Sequence, residues 1–381
     1  MTAFDGIRVQ PGAANYFSGV GALERFEAFY PAGTLRQVLW IGGRRALAAA
    51  RPYLPPVFDD DARSLRRVFS GHCSESLVSG YVRDGRDADL VVGIGGGSAL
   101  DTAKAVATRL DKPFVAIPTV AATCAAWTPL SVWYDDDGRA LGYEMFPLAS
   151  RLVLVDPRIV LTAPPEYLSA GIGDTLAKWY EARVLCDAAP ALPLTAQLGL
   201  SVARQIHDVL LEKGEAAVAA AKVGANAGTN PGTNAGAVDG AVNEAFVQVV
   251  DAIIAGGGLV GGLGERYTRL AAAHAIHNGL TVIPATASIL HGAKVAYGIL
   301  VQLALEGRRD ELLRLDAALL SLGLPRRLAD LGVDPARETD IAAFVAHTLR
   351  PEESIHFLSG TVDAPRLRKA LAEVEALPAI A

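Results

Sequence analysis

The stretch VVGIGGGSALDTAKA, residues 91–105, decides how this chain is expected to fold. An apolar run typical of a strand ends in the glycines Gly95, Gly96 and Gly97, and a helix-forming segment follows from Ser98. Glycines let a diphosphate approach the main chain closely, and the first turn of a helix offers free N–H groups to an anion. The pattern predicts a phosphate cradle. Ser98 replaces the last glycine of a GxGxxG motif, so a simple tight turn stays open as the alternative.

The residues around this stretch alternate between short apolar runs and helical segments. Four runs, QVLWIGG, LVVGIGG, PFVAIPT and RLVLVDP, are rich in β-branched residues and contain Gly, Pro or Thr at their ends. Continuous apolar runs of this length fit central strands that are covered on both faces. Their alternation with helical segments predicts a parallel sheet with right-handed crossovers. We therefore expect an α/β domain that binds a nucleotide over residues 1–162.

The second half of the chain has few strand-like runs and predicts an all-helical domain over residues 163–381. Long segments such as PLTAQLGLSVARQIHDVLLEKGEAAVAAAKV, ERYTRLAAAHAIHNGL and HGAKVAYGILVQLALEG are helical in pattern, with Pro and Gly at their ends. The segment GANAGTNPGTNAGAVDG, residues 224–240, is small and polar, which favours a flexible surface loop. The apolar stretch VVDAIIAGGGLVGGLG is too short and too rich in glycine to predict a membrane span.

Composition excludes several classes of partner. The chain has 381 residues, enough for two domains. Its net charge of −6 offers no global attraction to nucleic acid or to anionic lipid. Three widely spaced cysteines argue against a disulfide framework, and the N-terminal residues do not have the pattern of a signal peptide. We expect a cytoplasmic protein that binds neither nucleic acid nor membrane.

Two histidines and one aspartate form a candidate metal site. His274 and His291 lie 17 positions apart at the expected ends of two helical segments. Asp174 stands in SAGIGDTLAKWYEA, where we expect a helix to begin. Two imidazoles and a carboxylate would bind a divalent metal with one position open for chemistry. His277 could also be a ligand, although an isolated histidine is more often an ordinary core or surface residue.

Four motifs in order, GGGSALDTAKA, IPTVAAT, SAGIGDTLAKWYEA and HAIHNGL…HG, resemble the metal-dependent alcohol dehydrogenase family that includes iron alcohol dehydrogenases and glycerol dehydrogenase. HCSES, AATCAAWTPLSVWY, GERYTRLAAAHA and TLRPEESIHF look like its bacterial hydroxycarboxylate dehydrogenase A subgroup. The resemblance implies a Rossmann-like N-terminal domain, an all-α C-terminal domain and a cleft between them for metal and substrate. This architecture is similar to that of dehydroquinate synthase. The resemblance also implies a homo-oligomer.

The resemblance assigns roles to individual positions. The metal ligands would be Asp174, His274 and His291, and Lys178 stands where iron-type members have a fourth, histidine ligand, which favours zinc. No side chain beyond the metal ligands is assigned as a catalytic base. The residues that would hold the pyrophosphate and the nicotinamide end of the cofactor are Gly95, Gly96, Gly97, Ser98, Asp101, Thr119, Thr128, Leu130, Ser131 and Tyr134.

Three departures from the glycerol dehydrogenase pattern bear on specificity. Cys124 stands where that pattern has an aspartate, which removes a charge that would repel an anionic substrate. Arg266 and Arg269 precede His274, and arginine suits the binding of a carboxylate. The strand QVLWIGGRRA lacks an acidic residue at its end and continues into two arginines, so NADP is expected to be accepted beside NAD, and we expect it to be preferred.

The sequence therefore predicts a metal-dependent NAD(P)(H) oxidoreductase that interconverts 2-oxo acids and 2-hydroxycarboxylates by hydride transfer. A glycerol or other polyol dehydrogenase with the same chemistry is the nearest alternative. A lyase similar to dehydroquinate synthase is more remote, because few basic residues surround the metal motifs. A nucleotide-binding module without catalysis is the last alternative, and the three filled ligand positions argue against it.

Overall fold

The computed structural model describes residues 6–228, 238 and 240–378. The chain divides into two compact units. The first, here called the sheet unit, contains Gln10–Pro165 and Ala219–Gly258. The second, the helical unit, contains Met1–Val9, Glu166–Val218 and Leu259–Ala381. The expected domain boundary after residue 162 lies close to Pro165, but residues 219–258 belong to the sheet unit rather than to the helical one.

The sheet unit is built on six parallel strands in the order β1-β8-β5-β4-β2-β3. A separate antiparallel hairpin pairs β6 with β7. The strands are β1 (Tyr16–Ser18), β2 (Val38–Gly43), β3 (Ser64–Phe69), β4 (Leu90–Gly95), β5 (Phe114–Pro118), β6 (Leu130–Tyr134), β7 (Ala140–Met145) and β8 (Leu152–Val155). The parallel α/β prediction is confirmed, and the four apolar runs are the four central strands. Nearly all of their residues are buried.

Helices of the sheet unit follow its strands. They are α1 (Phe26–Phe29), α2 (Arg44–Ala50), α3 (Glu75–Asp84), α4 (Gly97–Arg109) and α5 (Pro157–Leu161). Parallel strands place all their carboxyl ends at one edge of the sheet, so the start of α4 and the loop that follows β5 lie together there. The backbone N–H of Thr119, just after β5, donates to the carbonyl oxygen of Gly95 at 3.1 Å.

The remaining described helices make the second half of the chain all-helical, as the sequence predicts, and most of them lie in the helical unit. They are α6 (Pro165–Ala188), α7 (Leu194–Gly228), α8 (Glu244–Asp251), α9 (Gly257–Gly264), α10 (Ala272–Leu280), α11 (His291–Leu305), α12 (Arg309–Ser321), α13 (Glu338–Thr348) and α14 (Ala364–Glu375). A π-helical turn, Ala252–Gly256, joins α8 to α9. Residues of α8 belong to the sheet unit, where Tyr16 donates a hydrogen bond of 2.6 Å to Asp251.

Two sequence predictions about local structure are wrong. The first part of the expected loop at residues 224–240 is helical, because α7 continues to Gly228. A side chain at Gly224 would lie 2.3 Å from Leu161, so the glycine permits close packing there. Residues 229–237 and 239 lie outside the described residues. The segment ERYTRLAAAHAIHNGL is not one helix, because a 3-10 turn ends at Tyr267 and α10 begins only at Ala272.

The helical stretch Glu244–Tyr267 is long and apolar enough to cross a membrane by length and composition. Half of its most apolar window is buried inside the protein. The core helix of a soluble protein has the same properties, so this stretch is weak evidence for a membrane span. The prediction that the chain does not enter a membrane stays a prediction.

Candidate metal centre and cofactor loop

The metal-site candidates are carried by three helices of the helical unit. Asp174 lies in the middle of α6, so the expectation that it begins a helix is wrong; α6 starts at Pro165. His274 lies in the first turn of α10, and His291 is the first residue of α11. The helices α6 and α11 approach closely, since a Cβ at Gly292 would lie 1.9 Å from the carbonyl oxygen of Ala170.

The three side chains converge on one point. Nε2 of His291 lies 3.1 Å from Oδ1 of Asp174, and Nε2 of His274 lies 3.5 Å from the same oxygen. Each residue offers one possible ligand atom, and these three nitrogen and oxygen atoms lie within 4.8 Å of one another. Such spacing suits a single divalent ion, whose bonds to nitrogen and oxygen are about 2.0–2.2 Å for zinc. Three protein ligands would leave a position open for a substrate oxygen.

A buried carboxylate orients the first histidine. Glu181 lies on α6 two helical turns after Asp174, and its side chain is completely buried. Its Oε2 accepts from Nδ1 of His274 at 2.7 Å, and its Oε1 accepts from the backbone N–H groups of His274 and Ala271 at 3.0 and 2.8 Å. This arrangement fixes the proton on Nδ1, so Nε2 can offer its lone pair to a metal. Glu181 is not among the residues predicted from the sequence, although its spacing of seven residues from Asp174 places both on one helical face.

Electrostatics hold the carboxylate of Asp174 ionised. Burial pushes the pKa of Asp174 upward, but hydrogen bonds from His274 and His291, and the charges of His291 and Lys178, outweigh burial and hold it well below its usual range. Burial alone would lower the pKa of His274, but the charge of Glu181 and hydrogen bonds with Asp174 and Glu181 raise it to about 10. The cluster thus attracts positive charge, which either a proton or a cation can supply.

His277 is held in contact with a ligand candidate. Its Nε2 lies 2.9 Å from Nδ1 of His291. Burial, followed by the positive charges of His291, His274 and Lys294, lowers the pKa of His277 well below its usual value, so its ring is neutral. His277 therefore contacts the side of the His291 ring that faces away from Asp174.

The glycine-rich loop of the sheet unit leaves no room for side chains. A Cβ at Gly96 would lie 2.9 Å from Val120, and one at Gly97 would lie 3.2 Å from Oγ1 of Thr123. Gly95 has a φ of 154°, in the region that glycine favours. The loop after β5 thus lies against the bare backbone at the start of α4. These features fit the expected phosphate cradle.

Two residues expected at the cofactor are bonded inside the sheet unit. Oδ1 of Asp101 accepts from Nζ of Lys104 at 3.3 Å, and Oδ2 accepts from the backbone of Val132 at 3.1 Å. The hydroxyl of Ser131 donates to the carbonyl oxygen of Asp101 at 3.0 Å. Lys104 is 2% exposed and also donates to the carbonyl oxygen of Ala125 at 2.8 Å. These bonds fasten the segment that leads from Ala125 into β6 to α4, and Lys104 is not among the residues predicted from the sequence.

The other expected cofactor residues lie along the segment that these bonds fasten. The backbone N–H of Thr128 donates to the carbonyl oxygen of Cys124 at 3.2 Å, and Leu130 begins β6. Tyr134 ends β6, with its ring centroid 5.1 Å from that of His72. Their contacts with a cofactor stay predictions.

Comparison with known proteins identifies the family. A family model described as iron-containing alcohol dehydrogenase matches residues 13–157. Hydroxycarboxylate dehydrogenase A of Escherichia coli (strain K12) is 52% identical over 375 residues, covering 98% of this chain and 99% of that protein. This chain belongs to the iron-containing alcohol dehydrogenase family. It is an oxidoreductase that acts on CH–OH groups of small molecules.

This chain is also similar to glycerol dehydrogenases. The glycerol dehydrogenase of Pseudomonas putida is 37% identical over 313 residues, covering 80% of this chain and 80% of that protein. The crystal structure of a probable glycerol dehydrogenase from Sinorhizobium meliloti 1021 has a TM-score of 0.79 at 29% identity, covering 97% of this chain and 99% of that one. The expected fold class and family resemblance are thereby confirmed.

The expected substrate residues of this dehydrogenase lie in different settings. Arg266 is exposed, stacks on the ring of Tyr267 at 4.9 Å and donates to the carbonyl oxygen of Gly6 at 3.1 Å. Arg269 is partly buried in the turn before α10, so its expected helical spacing from His274 does not exist. Cys124 is partly buried and lies in the loop after β5. Their roles in substrate binding stay predictions.

Proposed function

We propose that this enzyme interconverts 2-oxo acids and 2-hydroxycarboxylates, using NAD(P)(H) and a divalent metal held by Asp174, His274 and His291. The convergence of these three side chains, with Glu181 buried behind His274, is the observation that supports the proposal most directly. The similarity to a hydroxycarboxylate dehydrogenase over almost the whole chain supports the substrate class.

The charge balance of the site favours an anionic substrate. Asp174 and Glu181 contribute two negative charges, which a divalent metal would neutralise. Lys178 lies one helical turn after Asp174, near enough for its charge to lower the pKa of that carboxyl. The loaded site would therefore carry excess positive charge, which attracts a carboxylate and offers less to an uncharged polyol.

The residues of the site would bind and orient rather than exchange protons with the substrate. A bound divalent metal would act as a Lewis acid toward the substrate oxygen. Asp174, His274 and His291 would fix its position, and Glu181 would hold the ring of His274 in place. The main chain at Gly95, Gly96 and Gly97 would hold the cofactor's diphosphate, with Ser98 and Thr119 beside it. We assign no side chain as a general base.

Zinc is the metal we propose. Two imidazoles, one carboxylate and an open position are typical of catalytic zinc sites, and Lys178 cannot act as a fourth ligand while it is protonated. Metal analysis of the purified enzyme tests this choice. Recovery of activity by zinc after metal removal would support it, and recovery by Fe²⁺ alone would contradict it.

A panel of substrates tests the proposed reaction. Metal-stripped and zinc-reloaded enzyme is assayed with several 2-oxo acids and with glycerol and other polyols, each with both cofactors. We expect metal-dependent reduction of 2-oxo acids with a kcat/KM well above that for oxidation of any polyol. A higher kcat/KM for glycerol would favour the glycerol dehydrogenase alternative and overturn the proposed substrate class.

We further propose that NADP(H) is accepted and preferred. The strand β2 ends at Gly43, and Arg44 and Arg45 follow it as exposed residues at the start of α2. Because β2 pairs with β4, these arginines follow a strand adjacent to the one that leads into the glycine loop. Their guanidinium groups suit a 2′-phosphate. Arg45→Glu should lower kcat/KM for NADPH while leaving the NADH value nearly unchanged. A strong preference of the unmodified enzyme for NADH would contradict this proposal.

Cys124, Arg266 and Arg269 remain our candidates for recognition of the substrate carboxylate. Arg269→Ala should raise KM for a 2-oxo acid, on the order of tenfold for a lost hydrogen bond to a charged group. Arg266→Ala is the comparison, since its guanidinium already contacts Gly6 and Tyr267. An unchanged KM in both variants would remove the arginines from the site.

A homo-oligomeric state in the cytoplasm, without nucleic-acid partners, completes the proposal. Light scattering of the purified enzyme tests the oligomeric state.

A further inference from the structure

A chain of hydrogen bonds extends from the candidate ligand His291 away from the metal position. Nδ1 of His291 lies 2.9 Å from Nε2 of His277, and Nδ1 of His277 lies 3.0 Å from Oδ1 of Asn278. Nδ2 of Asn278 donates to Oε2 of Glu353 at 2.9 Å. Glu353 belongs to TLRPEESIHF, one of the segments that resemble the hydroxycarboxylate dehydrogenase A subgroup.

Glu353, at the far end of this series of hydrogen bonds, fixes which atom donates in each of them. A carboxylate can only accept hydrogen bonds, so Glu353 requires the amide nitrogen of Asn278 as its donor. The amide oxygen of Asn278 then faces His277 and accepts from Nδ1 of that ring. With its proton on Nδ1, a neutral His277 has a lone pair on Nε2 and accepts from Nδ1 of His291. Nε2 of His291 donates to Oδ1 of Asp174 at 3.1 Å; a metal would take the place of that proton, and the proton on Nδ1 would remain in its hydrogen bond to His277.

We propose that His277, Asn278 and Glu353 are positioning residues that fix the tautomer and ring orientation of His291 for metal binding. The inference rests on the proposed role of Asp174, His274 and His291 as ligands. It adds a reason for the segment around Glu353: its carboxylate sets the direction of every hydrogen bond between itself and the ligand. Hydrogen-bond partners of metal-bound histidines commonly contribute 10- to 100-fold to metal affinity.

The exposure of the two histidines explains why His291 needs such a partner. The side chain of His274 is 12% exposed and is held by the buried carboxylate of Glu181. The side chain of His291 is 46% exposed and begins its helix, so packing restrains its ring less. A hydrogen bond to a ring on the neighbouring helix α10 restrains it instead. The two ligands thus have unlike supports: His274 contacts a carboxylate directly, whereas His291 contacts the ring of His277, which Asn278 links to the carboxylate of Glu353.

Metal affinity of single variants tests the proposal. Zn²⁺ or Co²⁺ is titrated into metal-stripped protein in competition with a chromophoric chelator, and the visible absorption of the Co²⁺ protein reports ligand geometry. His277→Ala should weaken binding 10- to 100-fold and change the Co²⁺ spectrum. His277→Gln should restore part of the affinity, because its amide oxygen can accept from His291. His356→Ala is the matched control, since His356 lies in the same segment and its Nε2 donates to the carbonyl oxygens of Leu349 and Arg350 rather than to a residue of the metal site.

A double variant tests whether the three residues act in one chain. Glu353→Gln should weaken metal binding by a smaller factor than His277→Ala, because an amide at this position no longer fixes the direction of the bonds. The double variant His277→Ala/Glu353→Gln should bind as weakly as His277→Ala and no more weakly. Thermal unfolding of each metal-free variant separates an effect on folding from one on the metal. Because both readouts use binding rather than turnover, they do not depend on the choice of substrate.

The outcomes distinguish this inference from the proposed function. Wild-type affinity and an unchanged Co²⁺ spectrum in His277→Ala would overturn the positioning role while leaving the metal site intact. If the losses of metal affinity were additive in the double variant, His277 and Glu353 would not act through one series of hydrogen bonds. Equal loss of affinity in His356→Ala would show a general effect of the segment on stability and would also overturn it. If the wild-type protein bound no divalent metal, the proposed function itself would fail first.

Discussion

Replacement of Glu181 by glutamine tests how the first histidine is oriented. An amide at this position could still accept from the two backbone N–H groups of Ala271 and His274 through Oε1. Its NH₂ group would then face Nδ1 of His274, where the carboxylate oxygen now lies 2.7 Å away. Two donors cannot share one hydrogen bond, so the proton of His274 would move from Nδ1 to Nε2. Nε2 is the atom that faces Asp174 and would bind the metal.

The expected cost follows from that tautomer change. Loss of a hydrogen-bond partner of this kind weakens metal binding by about 10- to 100-fold, or about 1.4–2.7 kcal/mol. The affinity of metal-stripped Glu181→Gln is measured by competition with a chromophoric chelator, beside a thermal unfolding scan of the metal-free protein. We expect weaker metal binding and a proportional loss of the fraction of active enzyme at limiting zinc, with little change in KM for the substrate once zinc saturates.

Glu375→Gln is the matched control for this experiment. Its carboxylate is partly buried in the same unit and accepts from Tyr297 and Leu328 rather than from any ligand candidate. The variant should lose some stability and keep its metal affinity. If Glu181→Gln bound metal as tightly as the unmodified protein, the orienting role of Glu181 would be refuted. If both variants lost affinity equally, the loss would reflect weakened folding rather than the histidine tautomer.

Three further predictions use other parts of the structure. Gly292→Ala should destabilise the protein by about 1–3 kcal/mol and weaken metal binding, because its Cβ would lie 1.9 Å from a carbonyl oxygen of α6; Gly261→Ala, where a Cβ meets open space, is the control in the unfolding assay. Burial raises the pKa of Cys73 to about 12, so a thiol-specific reagent at pH 8 should modify the partly exposed Cys124 and leave Cys73 intact, as mass spectrometry of the peptides would show. Lys178→Met should raise KM for a 2-oxo acid on the order of tenfold and leave metal content unchanged, and an unchanged KM would contradict its attraction for the carboxylate.

The sequence predicts the centre of the sheet better than its edges. The four runs that it identifies lie between β1 and β3, which are the edge strands. Central strands are covered on both faces and are written as continuous apolar runs. The edge strand β3, SLRRVF, alternates between partly buried and exposed residues and carries two arginines, so its pattern is weaker. Strand β7 of the hairpin, ALGYEM, is mostly exposed and has no continuous apolar run.

The metal site shows what residue spacing can and cannot predict. The side chains of Asp174, His274 and His291 lie together, as the expected ligand role requires, and that role stays a prediction. The helix around Asp174 begins at Pro165, nine residues before the start that the sequence predicts. A carboxylate inside a long helix cannot be distinguished from one at its start when the preceding residues are also helix-compatible. Glu181 was missed because its importance lies in complete burial against another helix, which no local pattern encodes. The break before Ala272 was missed for a related reason. TRLAAAHA has strong helical propensity, whereas the backbone N–H groups of Ala271 and His274 donate to Glu181 at the start of α10, and this contact comes from another helix.

The buried charges of the site carry a physical consequence for how it is assembled. Asp174 and Glu181 are buried carboxylates on α6. Burying two negative charges would be costly without compensating positive charge. In the protein without metal, a proton on His274 supplies part of that charge, as its raised pKa of about 10 indicates. A divalent cation would supply more positive charge at the same place and release that proton. Metal binding would therefore replace the proton by the cation as the charge that compensates the two carboxylates. The close approach of α6 and α11 at Gly292 brings Asp174 and His291 together without a metal, and the hydrogen bonds that His274 donates to Glu181 and His291 donates to His277 orient the two rings. The free energy needed to order the ligand side chains would then be supplied mostly by folding. Less of the metal's binding energy would be spent on ordering them, and more would be available for holding the substrate oxygen.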